Sequence, residues 1–172
     1  MDEALVLLFD LKEAVKRSQN PIKEIIRKYG IPEPVFLNED DTIEKLINAL
    51  VRYRRDCVLV NDSEGNLRGI ITLMDLLKIF KHEPKRSLLL RVPKGGVESG
   101  ESPIRNIMSR NPLKLSSEES IMKALELMLK YRISHLVVTE GKSVKAVITK
   151  KIILAELLGL DTLKAITPDL GC

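Results

Sequence analysis

One order of predicted elements occurs twice in this chain of 172 residues. A helix, two short strands and a second helix are predicted over residues 38–80, and the same order returns over residues 116–158. The second strand of the first copy continues into Gly-Ile-Ile-Thr-Leu-Met-Asp at residues 69–75. The second copy reads Ala-Val-Ile-Thr-Lys-Lys-Ile at residues 146–152. The chain is therefore expected to have a duplicated architecture with two unequal sites.

The first helix of each copy carries an apolar stripe. Apolar residues recur at the i, i+3, i+4, i+7 and i+8 spacing over residues 43–51 and again over residues 121–129. Short extended pieces precede these helices at residues 35–37 and 113–115, so each copy is predicted as a β-α-β-β-α unit. The predicted fold class is α+β. The two repeats are expected to pack as a pseudo-two-fold pair, because each has apolar helices and a small sheet to bury.

Five segments are expected along the chain. They are an N-terminal helix at residues 1–20, repeat one at 21–81, a linker at 82–101, repeat two at 102–160 and a C-terminal tail at 161–172. The N-terminal helix is predicted through Ser18 from apolar residues at helical spacing, and Asn20-Pro21 ends it.

Composition and charge restrict the function. Hydrophobic residues make up 44% of the chain and charged residues 30%, which is typical of a globular protein. No apolar run approaches the roughly 20 residues of a membrane span and no secretory signal is recognised, so a cytoplasmic location is predicted. The abundance of Lys, Glu and Arg and the lack of Trp indicate a thermophilic source.

Catalytic motifs are not found in the sequence. Cys57 and Cys172 form no ligand cluster, and with only His82 and His135 present no Ser/His/Asp arrangement is indicated. A P-loop is also absent. The sequence therefore predicts no enzyme, no metal site and no catalytic cofactor.

The turn at residues 69–75 joins a predicted strand to a predicted helix. Thr72 is expected at the N-cap, where free backbone amides and the positive end of the helix dipole suit a phosphate. The Asp75 carboxylate would lie in the first helical turn and could accept hydrogen bonds from two vicinal hydroxyls, as on a ribose. Gly69 leaves room for close approach, by a ligand or by the neighbouring repeat. Thr72 and Asp75 also have capping-box spacing, so a purely structural role is the alternative.

Repeat two helps to separate these alternatives. Thr149 keeps the cap, but Ile152 stands where repeat one has Asp75, and Ala146 replaces the glycine. Because a helix is predicted there without the carboxylate, a ligand role for Asp75 is favoured. A charged hydrogen bond contributes about 1.5–3 kcal/mol, so the second site is expected to bind about 10- to 150-fold more weakly. One strong site is predicted at Thr72 and Asp75, and a weaker one at Thr149.

The element order, the two copies and the Gly-x-x-Thr-x-x-Asp turn resemble a cystathionine beta-synthase (CBS) domain pair, also called a Bateman module. The resemblance covers about residues 21–160. It implies a regulatory module that binds AMP, ADP, ATP or a relative such as S-adenosylmethionine in clefts between the paired repeats. It also implies signalling to a regulated partner protein and assembly as a homodimer.

The resemblance assigns further residues to the site. Beside Gly69, Ile71, Thr72 and Asp75, the implied wall consists of Pro34, Val35, Phe36, Asp56, Cys57 and Val58. Several family members have a basic residue where this chain has Cys57, so phosphate contacts are expected from repeat two instead. The candidates are Arg132, His135, Lys150 and Lys151. For each of them a solvated surface charge is the alternative.

A second function class follows from the linker. The net charge of +4 is modest, but basic residues are concentrated around residues 81–94. A nucleic-acid-associated factor would bind RNA or DNA in a salt-dependent manner through these residues. Loss of binding on neutralising Lys85, Arg86, Arg91 and Lys94 would favour this class. Saturable stabilisation by a nucleotide would favour the sensor.

Overall fold

A computed structural model describes residues 10–79 and 101–160. These residues form two compact units, of which unit one comprises residues 10–31 and 115–160 and unit two comprises residues 32–79 and 101–114. Each unit is therefore built from two separate stretches of the chain. The predicted tail and nearly all of the predicted linker lie outside the described residues.

The described residues contain six α-helices, one 3₁₀ turn and seven strands. The helices are α1 (Leu11–Ser18), α2 (Ile22–Tyr29), α3 (Ile43–Tyr53), α4 (Leu73–Ile79), α5 (Ile121–Lys130) and α6 (Lys150–Leu157), and the 3₁₀ turn is Ile104–Asn106. The strands are β1 (Phe36–Asn38), β2 (Cys57–Asn61), β3 (Leu67–Thr72), β4 (Ser109–Arg110), β5 (Lys114–Ser116), β6 (His135–Glu140) and β7 (Ser143–Thr149). Both repeats follow the β-α-β-β-α order, so the α+β prediction is confirmed. None of these helices is long and apolar enough to cross a membrane.

Unit two contains a four-stranded mixed sheet in the order β1-β2-β3-β4. β1 runs parallel to β2, and β3 runs antiparallel to β2 with Cys57 opposite Thr72. β4 was not predicted from the sequence, and it pairs with β3 so that Gly69 lies opposite Arg110. Unit one contains a three-stranded sheet in the order β5-β6-β7.

The core of unit two lies on one face of its sheet. Alternate strand residues point to the same face of a sheet, and here Val58, Val60 and Ile71 meet the apolar stripe of α3. Ile104, which is fully buried, and Met108 complete this cluster. Both come from the entry segment of repeat two, the residues of that repeat that precede β5.

Each repeat begins with a short entry segment, residues 21–31 or 102–113, and this segment pairs with the other repeat. In unit one the Ile22 amide donates to the Glu119 carbonyl at 2.9 Å, just before α5. In unit two the Ile104 amide donates to the Asp41 carbonyl at 2.8 Å, just before α3. Unit one thus combines the entry segment of repeat one with the main part of repeat two. Unit two combines the entry segment of repeat two with the main part of repeat one.

The N-terminal helix packs in unit one, where α1 contacts α6. Its N-cap is Asp10, which is extended and whose carboxylate accepts from the Lys12 amide at 2.8 Å. Of the helix predicted for residues 1–20, the structure describes the part that begins after Asp10, and residues 1–9 lie outside the described residues. A buried carboxylate, Glu156, accepts from Lys28 Nζ at 2.8 Å and ties α2 to α6.

Candidate functional site

Three stretches predicted for the site meet at one edge of the unit two sheet. β1 and β2 are parallel and both begin at this edge, whereas the antiparallel β3 ends there. The Val35 carbonyl accepts from the Leu59 amide at 2.9 Å, and the Asp56 carbonyl accepts from the Leu73 amide at 2.9 Å. Backbone pairing therefore fixes the start of β1, the start of β2 and the turn into α4 beside one another.

Asp75 is the buried charged group at this edge, with its side chain 7% exposed. Its Oδ2 accepts from the Thr72 amide at 2.9 Å and from the Thr72 hydroxyl at 2.8 Å. Its Oδ1 accepts from Lys78 Nζ at 2.8 Å. The contact to the Thr72 amide is the reach-back half of a capping box, so the structural role considered for this spacing is present.

The counterpart turn in repeat two is capped differently. The Thr149 hydroxyl accepts from the Ile152 amide at 3.4 Å, and Ile152 is buried in unit one. Thr149 is itself buried, with 8% exposure. A helix therefore starts here without a carboxylate, and an apolar side chain occupies the position that corresponds to Asp75.

Gly69 is explained by packing. A Cβ atom at Gly69 would lie 2.6 Å from the Met108 sulfur and 3.1 Å from the Ser109 carbonyl oxygen. The sequence analysis expected close approach by a ligand or by the neighbouring repeat. The structure shows the approach of the neighbouring repeat, at Met108 and Ser109. Ala146 keeps its side chain because β7 has only β6 as a strand neighbour within the described sheet.

The remaining wall residues differ in exposure. Phe36 is 40% exposed, whereas Cys57 and Val58 are buried in the sheet. Pro34 and Asp56 are half-buried. Among these wall residues the most exposed apolar side chain is therefore that of Phe36.

The four basic residues expected to contact a phosphate belong to unit one, whereas Asp75 belongs to unit two. Arg132, Lys150 and Lys151 are exposed, and His135 is half-buried at the start of β6. Their role toward a phosphate stays a prediction. Sequence reasoning missed Lys78, although an acid and a base three residues apart on a helix are a recognisable pairing signal.

A separate surface groove of about 510 Å³ runs between β1 and α3. Val35 and Phe36 line one part of it, and Asp41, Lys45 and Arg52 of the α3 region line another. Neither Thr72 nor Asp75 lines it, so this groove is a different surface from the Asp75 edge. In the ranges that the structure describes, no group of three or more His, Cys, Asp or Glu side chains could hold a metal ion.

The tandem β-α-β-β-α units define a protein of two paired α+β repeats. The CBS domain profile matches residues 22–82 and 104–159, which is more than half of the chain. The chain belongs to the CBS-domain family and carries two CBS domains, a Bateman module.

This chain aligns with only part of the length of the curated relatives that it resembles. An uncharacterized protein of Methanocaldococcus jannaschii is 33% identical over 119 residues, which is 67% of this chain and 28% of that protein. The arabinose 5-phosphate isomerase KpsF of Escherichia coli is 32% identical over 100 residues, which is 58% of this chain and 27% of the isomerase. The chain spans less than a third of either relative, and the match to the isomerase shows that related domains occur within an enzyme.

Solved structures share the fold. A CBS-domain protein from Agrobacterium tumefaciens aligns with a TM-score of 0.64 at 20% identity, covering 80% of this chain and 93% of that chain. The CBS domain of a bacterial CNNM/CorC family Mg²⁺ transporter in complex with ATP aligns with a TM-score of 0.63 at 15% identity, covering 86% and 94%. CBSX2 in complex with AMP aligns with a TM-score of 0.59 at 14% identity, covering 81% and 97%.

Proposed function

We propose that this chain is a regulatory module that binds an adenine nucleotide, AMP, ADP or ATP, or a related adenosyl ligand, at the Asp75 edge of unit two. The observation that carries the proposal is the meeting of β1, β2 and the β3–α4 turn around the buried Asp75 carboxylate. A buried carboxylate at the same end of the sheet as a partly exposed apolar residue suits a ribose joined to a base. Phe36 supplies that apolar surface.

The comparisons support the ligand class. Two proteins with the same fold were solved with ATP and with AMP. At 14–15% identity these structures share only the fold with this chain, so the ligand enters here as part of the proposal. Binding would act on a regulated partner protein through different affinities for two conformations of the module.

Titration calorimetry with AMP, ADP, ATP and S-adenosylmethionine tests the proposal. We expect saturable binding of at least one of them. Asp75→Ala should weaken the tightest ligand about 10-fold or more, because a hydrogen bond to a charged group is lost. Thermal unfolding of the same variant reports the separate loss of the helix cap.

Asp41→Ala is a matched control. The Asp41 carboxylate accepts from the Asn38 amide at 2.8 Å and from Lys45 Nζ at 2.7 Å, so it combines a backbone cap with a lysine pair as Asp75 does. It should lower stability without lowering nucleotide affinity. Equal affinity for the wild type and Asp75→Ala would sink the proposed site, and no binding of any of the four ligands would sink the function.

The proposal includes a weaker second site at Thr149. Ile152 cannot accept a hydrogen bond from a ribose, and its side chain is buried. A titration should therefore show one tight site per chain, with any second event at least about 10-fold weaker.

We also propose that the chain forms a homodimer through the α3 and α4 surface of unit two. Both helices pack on the same face of the sheet, and both leave apolar side chains exposed on their outer sides. The exposed apolar residues are Ile47, Val51, Leu73, Met74 and Leu77. Exposed apolar side chains on two helices of one unit are a candidate protein interface.

A further inference from the structure

The Asp75 carboxylate is paired with a lysine of its own helix. Lys78 Nζ lies 2.8 Å from Asp75 Oδ1, and the two residues are three positions apart on α4. The Lys78 side chain is 48% exposed, whereas that of Asp75 is 7% exposed. The buried acid therefore has a partner that reaches it from the solvent side.

The hydrogen-bonding capacity of Asp75 is nearly used up. A carboxylate offers about four lone-pair positions. The Thr72 amide, the Thr72 hydroxyl and the Lys78 ammonium already occupy three of them. A ribose diol that donates two hydrogen bonds needs one position more than is open, so one present donor has to leave.

Lys78 is the donor that leaves most easily. The two Thr72 donors are held by the turn between β3 and α4, whereas the lysine ammonium sits on a flexible four-carbon stem. A pair with a half-exposed lysine contributes little stability, because water replaces the contact. Exchange of Lys78 for a ribose hydroxyl therefore costs less than loss of the Thr72 contacts.

We propose that Lys78 determines specificity for phosphorylated ligands at this site: it pairs with Asp75, yields to the ribose and then pairs with the phosphate of the same ligand. This inference rests on the proposed function. With a nucleotide, the ammonium exchanges one anionic partner for another. With a nucleoside it loses its partner and gains none, so the same lysine opposes adenosine and favours AMP.

Location and charge agree with this role. The expected basic residue is missing at Cys57, and Lys78 places a positive charge within the same unit, directly beside the carboxylate expected to hold the ribose. An ammonium next to Asp75 also lowers the repulsion between that carboxylate and an incoming phosphate.

Lys78→Met tests the inference, because methionine keeps an unbranched side chain and removes the charge. Calorimetry should show adenosine binding about two- to fivefold tighter than to the wild type, since the competing pair is gone. AMP should bind about three- to tenfold more weakly, since the phosphate loses its partner. Lys78→Arg should keep the wild-type preference for AMP over adenosine.

Lys123→Met is the matched control. Lys123 pairs with Glu126 at the same i,i+3 spacing and is 49% exposed, but it lies on α5 in unit one. It should change neither affinity. If Lys78→Met shifts adenosine and AMP by the same factor in the same direction, the role of Lys78 is wrong while the nucleotide site stands. If the wild type binds neither adenosine nor AMP, the role of Lys78 is wrong, and if it also binds none of ADP, ATP and S-adenosylmethionine, the proposed function fails as well.

Discussion

Asp75 has the capping role that its sequence spacing presents as one alternative, and the ligand role proposed above is the other. Its carboxylate caps the start of α4 through Thr72, and its second oxygen accepts from Lys78 Nζ. Repeat two starts the equivalent helix with the Thr149 hydroxyl alone. A carboxylate is therefore not required to begin such a helix, and capping and ligand binding are compatible at one residue.

Gly69 gives a prediction at the same scale. Gly69→Ala should destabilise the protein by about 1–3 kcal/mol, because the new methyl group overlaps the Met108 side chain and a well-packed core tolerates added volume poorly. Urea denaturation followed by circular dichroism measures the loss.

A double-variant cycle separates packing from a ligand role for Gly69. Met108→Ala should cost less in the Gly69→Ala background than alone, because the two side chains then share one space. Gly69→Ala with wild-type stability and weakened nucleotide binding would instead show that a ligand, not Met108, needs the glycine.

At the scale of elements, apolar periodicity predicted which segments are helices and which are strands. It did not predict which distant segments pair with one another. Apolar spacing and turn residues predicted the central strands to within two residues, whereas α3 and α5 begin at Ile43 and Ile121, later than the helix starts predicted at residues 38 and 116. The predicted starts were wrong because Asn38 and Ser116 end strands, and Thr42 and Ser120 are the N-caps. β4 escaped prediction because two residues carry no periodic pattern, and its existence depends on β3 as a neighbour. For Gly69 the sequence left a ligand and the neighbouring repeat as alternatives, because the contact with Met108 joins distant parts of the chain. Lys78 was missed because its significance depends on the burial of Asp75.

The outer surfaces of α3 and α4 allow a test of the proposed dimer. Val51 is 72% exposed and Leu77 is 60% exposed, so glutamate at either position should leave the fold almost as stable as before, within about 0.5 kcal/mol. The double variant Val51→Glu/Leu77→Glu should be a monomer by light scattering at concentrations where the wild type is a dimer.

Ser143→Glu is the control for this dimer test. It places one glutamate, where the double variant adds two, on the exposed start of β7 in unit one. It should leave the assembly unchanged. A monomeric wild type, or a dimer that survives the double variant, would exclude this surface as the interface.

At the scale of the whole molecule, sequence repeats and structural units do not coincide. The repeats were predicted as continuous segments, yet unit two takes Ile104 and Met108 from the start of repeat two. Unit one likewise takes α2 from the start of repeat one. The matching Pro-Ile starts at residues 21 and 103 identify both stretches as equivalent. They do not reveal the partner of either one, because that pairing joins distant parts of the chain.

Two fragments should therefore behave differently. Residues 32–114 contain the whole described core of unit two and should unfold cooperatively in urea. Residues 21–81 lack Ile104 and Met108, whose burial contributes about 1.5–3 kcal/mol each, an appreciable part of the stability of a small domain. This second fragment should show no cooperative transition.

The same chemical denaturation decides the outcome. A cooperative transition for residues 21–81 at a higher midpoint than for residues 32–114 would contradict the assignment of these core residues. Adding residues 101–114 to the shorter fragment as a separate peptide should restore part of the transition, since the peptide supplies the missing side chains.

The exchange of entry segments also sets an order of events during synthesis. Unit two has all its parts once residue 114 has left the ribosome, whereas Ile22 waits for Glu119 and for the helices that follow it. At about 5–20 residues per second, the interval between the synthesis of Ile22 and that of Glu119 lasts on the order of 5–20 seconds. The apolar side of α2, with Ile22 and Ile25, is therefore translated well before the residues of unit one that bury it. During this interval the nascent chain exposes an apolar surface that the folded protein hides.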